Sequence, residues 1–320
     1  MSTPKQLGGL TVAIPAQNAS ATIGTTIRSL AGQVGPDLQV LVIDDRSSDD
    51  TATVARANAG GLDLTVLPSG APGAAGARNT ALRAAAHDWV AFLDADDRWL
   101  PGAAAAFAHE IAAAPDAVAC FGAARHVQAD GTLIAVFRVD AAFATTEGLV
   151  LRRLQPTTSA TAVRAAAALE LGGFDEGFAL PAGLEDSDLW WRLSQRGRCI
   201  VQPQPLCEYV VDDARLQTRS TAWLQDQRRD RERCIARLQA ALPARLARAG
   251  AAQHYAVLAR YWLAAGQPRQ ARADAIRALR LRPTAAGAAA LGLSLVPPRG
   301  IGALRSARRS VLRRRPGGSA

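Results

Sequence analysis

The segment 89–99, Trp-Val-Ala-Phe-Leu-Asp-Ala-Asp-Asp-Arg-Trp, constrains the fold of this chain more than any other stretch. The apolar run 90–93 predicts a buried strand, and three carboxylates, Asp94, Asp96 and Asp97, follow it directly. Acidic residues at the end of such a strand would lie at the edge of a sheet, where open α/β folds bind ligands. Clustered carboxylates repel one another unless a cation is present, and oxygen ligands suit Mg²⁺ or Mn²⁺. A solvated acidic turn before a helix at Pro101 is the alternative interpretation.

Alternation of apolar runs with segments of helical spacing predicts a doubly wound α/β domain. The predicted strands cover residues 10–14, 38–43, 62–67 and 90–93, and the predicted helices cover 21–31, 51–59 and 77–86. Pro15 is expected to end the first strand, and residues 72–76 are expected to form a flexible loop.

The pattern changes beyond the fourth strand. Asp130-Gly131 predicts a type I′ hairpin between strands over 117–127 and 133–139. The β-branched segment 157–163 is compatible with one more strand, and residues 184–197 have helical spacing.

Charge divides the chain into two parts. Residues 1–212 hold 15 Lys and Arg against 23 Asp and Glu, whereas residues 213–320 hold 22 Arg against 5 Asp and Glu. We therefore predict an acidic α/β domain over 1–212 followed by a basic helical appendage, and no nucleic-acid binding is expected of the acidic part. Four scattered cysteines without Cys-x-x-Cys spacing argue against a zinc site or a disulfide framework, and a cytoplasmic location is expected.

The appendage has two predicted parts. Residues 213–298 are helical, with a helix pair over about 252–283 that turns at Gly266-Gln267-Pro268 and resembles a tetratricopeptide hairpin. Its small residues at the expected helix crossing are Ala264, Ala271, Ala275 and Ala278. Residues 299–320 form a basic tail, either disordered or lying as an interfacial helix on anionic lipid at the inner face of the plasma membrane.

Six segments, taken in order, resemble the family 2 glycosyltransferases with the GT-A fold. The segments are 12–18 (VAIPAQN), 42–51 (VIDDRSSDDT), 76–79 (GARN), 92–97 (FLDADD), 172–176 (GGFDE) and 185–189 (EDSDL). The resemblance covers roughly residues 9–212. It implies a Rossmann-like, mostly parallel sheet flanked by helices, and the acidic run 94–97 corresponds to the DXD motif of such enzymes.

The resemblance also implies roles for individual residues. The nucleotide-sugar donor would contact Pro15, Gln17, Asn18, Asp45, Arg78, Asp94 and Ala95. Asp96 would bind a divalent cation, Mg²⁺ or Mn²⁺, and Asp186 would be the catalytic base, although capping of its helix is the alternative for Asp186. Asp97, Glu185 and Asp188 would support the site, and Trp190 and Trp191 would line an acceptor pocket unless they pack in the core. Arg46 stands where the family often has Gly.

The implied activity is inverting transfer of a sugar from a nucleotide-diphosphate donor to a hydroxyl acceptor, in the synthesis of a surface polysaccharide. The acceptor could be a glycan, a lipid-linked glycan or a protein. Two alternatives stay open: a nucleotidyltransferase on a related fold, and a catalytically silent scaffold that binds through its basic helices.

Overall fold

A computed structural model describes residues 7–151, 156–178, 184–211 and 220–295. The chain divides into two compact units, Met1–Gln217 and Thr218–Ala320. The boundary predicted from the sequence lies nearby, at residue 212. The predicted basic tail, 299–320, lies outside the described residues.

The first unit is built on a nine-stranded sheet. Its strands are β1 (Gly9–Ala16), β2 (Asp37–Asp44), β3 (Asp63–Pro68), β4 (Trp89–Phe92), β5 (Arg98–Trp99), β6 (Ala117–Val127), β7 (Leu133–Phe137), β8 (Thr161–Arg164) and β9 (Arg198–Val210). Their order is β3-β2-β1-β4-β8-β6-β9-β5, with β7 paired to β6. Among the described strands, four pairings are parallel and four are antiparallel, so the sheet is mixed and only its first half is parallel throughout.

Helices connect and flank these strands. They are α1 (Ile23–Arg28), α2 (Thr51–Ala57), α3 (Gly73–Ala84), α4 (Ala103–Ala113), α5 (Thr146–Leu151), α6 (Ala165–Glu170) and α7 (Glu185–Leu193). A 3₁₀ turn, Thr158–Ala160, precedes β8. Residues 158–160, which the sequence placed in a strand, therefore form a turn instead.

Two further predictions about local structure were wrong. Pro15 lies inside β1, because pairing with β4 already ends at Ala13 and the missing N–H of proline costs little beyond that point. Gly73 begins α3, so residues 73–76 form its first turn rather than a flexible loop. A Cβ on Gly76 would collide with the backbone of Ala71, so close packing requires glycine there.

The predicted hairpin between β6 and β7 is present, but its turn is not type I′. Gly131 has a φ of 87°, whereas Asp130 is not among the described residues with positive φ, and a type I′ turn needs both. The N–H of Gly131 donates to the carbonyl of Gln128 at 2.9 Å, which is the arrangement of a longer loop that ends in a left-handed glycine.

Buried central strands position the site. All four residues of β4 are buried, as expected for a strand covered on both faces by helices. Because β1, β2 and β4 are parallel, their last residues, Ala16, Asp44 and Phe92, lie along one edge of the sheet, which we call the carboxyl edge. The acidic run 94–97 and Asp45 therefore follow strands that end at the same place.

The second unit consists of helices α8 (Thr221–Ala241), α9 (Ala244–Ala264), α10 (Pro268–Leu281) and α11 (Ala285–Ser294). Helices α9 and α10 form the predicted pair, with Gly266 at a φ of 71° in the turn. Ala271, Ala275 and Ala278 are fully buried, but Ala264 is exposed and takes no part in the crossing. The tetratricopeptide resemblance stays a prediction. None of the described helices of either unit has the length and apolar character needed to cross a membrane.

Candidate active site

The acidic loop that follows β4 has one buried carboxylate and two partly exposed ones. Asp97 is 1% exposed, and its oxygens accept hydrogen bonds from the N–H of Val210 (2.8 Å) and the hydroxyl of Ser159. Burial raises the pKa of Asp97 well above its ordinary value, and the charges of Asp94 and Asp96 add to the rise. Asp94 and Asp96 are partly exposed, so they are the carboxylates of this loop that a ligand can reach.

Arg78, in α3, joins the acidic loop to the start of α7. Its two terminal nitrogens donate to Oδ1 of Asp94 and to Oε1 of Glu185, each at 2.9 Å. Burial opposes the charge of this 5% exposed arginine, but the carboxylates of Asp94 and Glu185 outweigh burial, and the pKa of the guanidinium is raised. Arg78 thus links protein side chains across the site rather than presenting an exposed cation.

Asp186 is the second residue of α7 and is partly exposed. The hydroxyl of Thr158 donates to its Oδ2 at 3.0 Å, and Ser187 donates to its Oδ1. Burial raises the pKa of Asp186 to about 6, and the charge of Glu185 adds to the rise while that of Arg78 opposes it. A carboxylate with this pKa is largely ionised at pH 7 yet can take up a proton.

Sequence reasoning missed Thr158 and Ser159. Because β8 runs antiparallel to β4, with Ala162 opposite Ala91, the turn before β8 lies at the end of β4. There Thr158 contacts Asp186, and Ser159 contacts both Asp97 and the N–H of Asp94. The only signal in the sequence was a run of small hydroxyl residues before an apolar strand.

The predicted nucleotide side of the site lies where β1 and β2 end and α3 begins. Asp45 is 4% exposed, and its carboxylate accepts from the N–H of Gly73 at 2.6 Å and from Arg46 at 2.7 Å. Gln17 is exposed and donates to the carbonyl of Asp45 at 3.0 Å. Arg46 has a φ of 58°, a backbone conformation that favours glycine.

The remaining donor-side residues lie near these. Asn18, with a φ of 50°, accepts from the N–H of Ser48 at 2.8 Å and so ties the end of β1 to the loop after β2. Pro15 is partly buried in β1. Ala95 is 8% exposed, and its carbonyl accepts from the hydroxyl of Thr26 at 2.9 Å. The structure therefore brings the donor-side residues to the carboxyl edge, and their contacts with a donor stay predictions.

Asn79 connects two of the segments that carried the family resemblance. Its side chain exchanges two hydrogen bonds with the backbone of Phe174, both at 2.8 Å. Phe174 in turn lies under the guanidinium of Arg78, with 5.6 Å between the guanidinium carbon and the ring centre. The Gly172–Glu176 segment thus supports the helix that carries Arg78.

The structure favours core packing for the aromatic pair of α7. Trp190 is fully buried, with its ring centre within 6.0 Å of those of Phe92, Phe121 and Phe174. Trp191 is 4% exposed. Neither indole presents a free face to a sugar, so the predicted acceptor pocket does not form on them. Asp188, also fully buried, pairs with Arg192 at 2.8 Å within the same helix.

The acidic loop fits a cation that is shared with a ligand. Among the described residues, no group of three His, Cys, Asp or Glu side chains is arranged to hold a metal ion by itself. In nucleotide sites, Mg²⁺ is commonly held by one or two carboxylates together with phosphate oxygens and water. The partly exposed carboxylate of Asp96 suits such a shared arrangement.

Comparison with solved structures supports the same fold. Staphylococcus aureus TarS (residues 1–349, in complex with UDP-GlcNAc) superposes with a TM-score of 0.63 at 18% identity, over 86% of this chain and 82% of that one. The mannosyltransferase PcManGT of Pyrobaculum calidifontis, in complex with GDP-Man and Mn²⁺, superposes with a TM-score of 0.57 at 21% identity, over 93% of this chain and 84% of that one. At these identities the likeness establishes the fold.

Sequence comparison with characterised relatives covers somewhat under a third of this chain. The Escherichia coli UDP-Glc:alpha-D-GlcNAc-diphosphoundecaprenol beta-1,3-glucosyltransferase WfgD is 38% identical over 91 residues, 28% of this chain and 36% of that protein. The amylovoran biosynthesis glycosyltransferase AmsB of Erwinia amylovora is 40% identical over 92 residues, 28% of this chain and 31% of that protein. The match thus spans about a third of the length of these relatives. Residues 11–156 match the family model of glycosyl transferase family 2, and the fold of the first unit is that of GT-A glycosyltransferase structures such as TarS.

Proposed function

We propose that this chain transfers a sugar from a nucleotide-diphosphate donor to a hydroxyl acceptor, with inversion at the anomeric carbon. The observation that carries the proposal is the placement of Asp186 beside the acidic loop. Thr158 holds Asp186, its neighbour Ser159 holds the loop, and Arg78 connects the two sides through Glu185 and Asp94. A reactive base and a set of ligand-accessible carboxylates therefore share one edge of the sheet.

On the donor side, the chain's residues bind and orient. We assign the nucleoside to the pocket around Gln17 and Asp45, with the backbone of Asp45 fixed by Gln17 and its carboxylate by Gly73. Asp94, held by Arg78, is assigned to the ribose hydroxyls, and Asp96 to the cation. When bound, Mg²⁺ or Mn²⁺ would neutralise the negative charge that develops on the diphosphate as the glycosidic bond breaks.

On the acceptor side, Asp186 supplies general-base catalysis. A hydroxyl is a poor nucleophile and loses its proton as it attacks, so a carboxylate positioned to accept that proton contributes about 10²–10⁴-fold. Burial raises the pKa of Asp186 to about 6, which leaves it ionised at pH 7 but basic enough to accept the proton. One base acting on the attacking hydroxyl, without a covalent intermediate, implies a single displacement and therefore inversion.

The names of the relatives suggest which substrates to test. WfgD is named for UDP-Glc and for an acceptor linked to diphosphoundecaprenol, and TarS was solved with UDP-GlcNAc. We therefore propose a UDP-sugar donor and a lipid-linked glycan acceptor for this chain, in the synthesis of a surface polysaccharide. Such an acceptor would place the protein on the cytoplasmic face of the membrane, in peripheral contact with anionic lipid.

The test uses the full chain with a panel of UDP-, GDP- and dTDP-sugars, detergent-solubilised lipid-diphosphate acceptors, and either Mg²⁺, Mn²⁺ or EDTA. Release of nucleoside diphosphate should require one donor, one acceptor and a cation. The variants Asp96→Ala and Asp186→Asn should strongly reduce it, whereas Asp116→Asn, at a side chain 67% exposed and away from the site, should retain it. If no sugar nucleotide is turned over and none raises the melting temperature of the protein, the scaffold interpretation replaces this proposal.

A further inference from the structure

One short turn contacts both halves of the site. In the turn Thr158–Ala160, the hydroxyl of Ser159 accepts from the N–H of Asp94 at 3.0 Å and donates to Asp97. The adjacent hydroxyl, that of Thr158, donates to Oδ2 of Asp186 at 3.0 Å. Two consecutive residues therefore hold the acidic loop on one side and the carboxylate of α7 on the other.

The turn is itself firmly held. Thr158 is 7% exposed and Ser159 is fully buried, and the carbonyl of Ser159 accepts from the indole N–H of Trp99 at 2.9 Å. The strand that follows, β8, is paired on both sides, with β4 and with β6. A hydroxyl mounted on such a turn has little freedom, so it can define the orientation of a carboxylate that contacts it.

We propose that Thr158 is a positioning residue for Asp186, and that the turn Thr158–Ser159 sets the placement of the base relative to the donor-binding loop. This inference rests on the proposed function. The hydrogen bond that Thr158 donates to Oδ2 of Asp186 fixes the orientation of the carboxylate. It also favours the ionised form, which is the form that a general base requires.

The charges around Asp186 must be considered in any test that varies pH. Glu185 faces Asp186 from the same helix and Arg78 faces it from α3. Arg78 is also paired with Asp94. A substitution at Thr158 that preserves shape leaves all three charges in place, so a changed titration of Asp186 would report the loss of the hydroxyl.

The first experiment compares Thr158→Val with two matched variants in the full chain. Thr158→Val removes the hydroxyl at nearly constant volume, and we expect kcat to fall about 10- to 100-fold, the usual effect of losing a hydrogen bond to a charged group. The KM for the donor should not change, and the acidic limb of the pH–rate profile should move to higher pH. Thr158→Ser should restore most of the activity.

Thr161→Val is the control for the loss of a buried hydroxyl. Thr161 is fully buried, and its hydroxyl donates to the backbone carbonyl of Thr157 at 3.0 Å rather than to a carboxylate of the site. The kcat and the pH–rate profile of the Thr161→Val variant should match those of the wild type. Equal kinetic effects of Thr158→Val and Thr161→Val would overturn the inference, because they would indicate a general packing defect.

A second readout separates this inference from the proposed function. The carboxyl pKa of Asp186 can be followed by ¹³C NMR of the labelled full chain without substrate, with the signal assigned by its absence in Asp186→Asn. The pKa should be higher in Thr158→Val than in the wild type and unchanged in Thr161→Val. An unchanged pKa in Thr158→Val refutes the positioning role whether or not the enzyme turns over. A raised pKa in a chain that turns over no donor refutes only the proposed function.

Discussion

Replacing Arg78 by methionine tests the bridge that holds the site together. Arg78→Met keeps the approximate volume of the side chain but removes the guanidinium that pairs with Glu185, whose side chain is 4% exposed. Removing one partner of a buried ion pair costs about 3–5 kcal/mol. The side chain of Asp94 is 29% exposed, so water can solvate its carboxylate once Arg78 is removed. Loss of the Arg78–Asp94 pair therefore contributes less than about 1 kcal/mol to the destabilisation. We therefore expect the free energy of unfolding to fall by about 4 kcal/mol.

Urea unfolding of the full chain, followed by tryptophan fluorescence, measures this loss. Four of the six tryptophans lie in the first unit, so its unfolding dominates the signal. The matched control is Arg98→Met, in the same unit, because Arg98 pairs with Glu208 at 3.2 Å with side chains 30% and 25% exposed. That variant should lose less than about 1 kcal/mol. Equal losses in the two variants would show that the Arg78 bridge does not behave as a buried ion pair.

Helix α7 supplies four more tests. Asp186→Asn should lower turnover about 10²–10⁴-fold. In urea titrations, the same variant should be more stable than the wild type at pH 7 but not at pH 4. Burial raises the pKa of Asp186 from 3.8 to about 6 in the folded protein. The ionised carboxylate therefore destabilises the folded state once the pH exceeds the pKa of this residue in the unfolded chain. The kcat of the wild type should decline as pH falls through about 6, where the base becomes protonated, and an acidic limb near pH 4 would contradict that role. Trp190→Phe should lower the free energy of unfolding by about 1–3 kcal/mol without changing the KM for the acceptor, since this indole is buried in the core.

Much of the first half-sheet was predictable because its signals are local. Apolar runs of strand length, separated by helical segments, predicted both ends of each strand from β1 to β4 to within two residues. The acidic residues after β2 and β4 then had to lie at one edge, because parallel strands that neighbour one another end together. This argument needs only residues that are close in sequence, apart from the assumption of parallel pairing.

The second half-sheet was less predictable because its contacts are between distant residues. Nothing near Thr161 indicates that β8 enters between β4 and β6 in the antiparallel direction, yet this insertion places Ser159 beside Asp94, 65 residues away. The ion pair between Arg78 and Glu185 was missed for the same reason, since Glu185 lies 107 residues further along the chain. The family resemblance assigned Arg78 to the nucleotide-sugar donor, and only the tertiary structure shows that two carboxylates, those of Asp94 and Glu185, already contact it.

The first turn of α7 shows how the fold distinguishes between three similar acids. Successive helical residues are rotated by about 100°, so Glu185 and Asp188 point in similar directions while Asp186 is turned away from both. Glu185 pairs with Arg78 and Asp188 pairs with Arg192, whereas Asp186 forms no ion pair within the described part of the chain and is held by the hydroxyls of Thr158 and Ser187. Burial raises the pKa of Asp186 to about 6, so this partly exposed carboxylate can take up a proton near neutral pH. The two ion pairs thereby hold Glu185 and Asp188 in place and leave Asp186 as the acid of the turn that Thr158 orients.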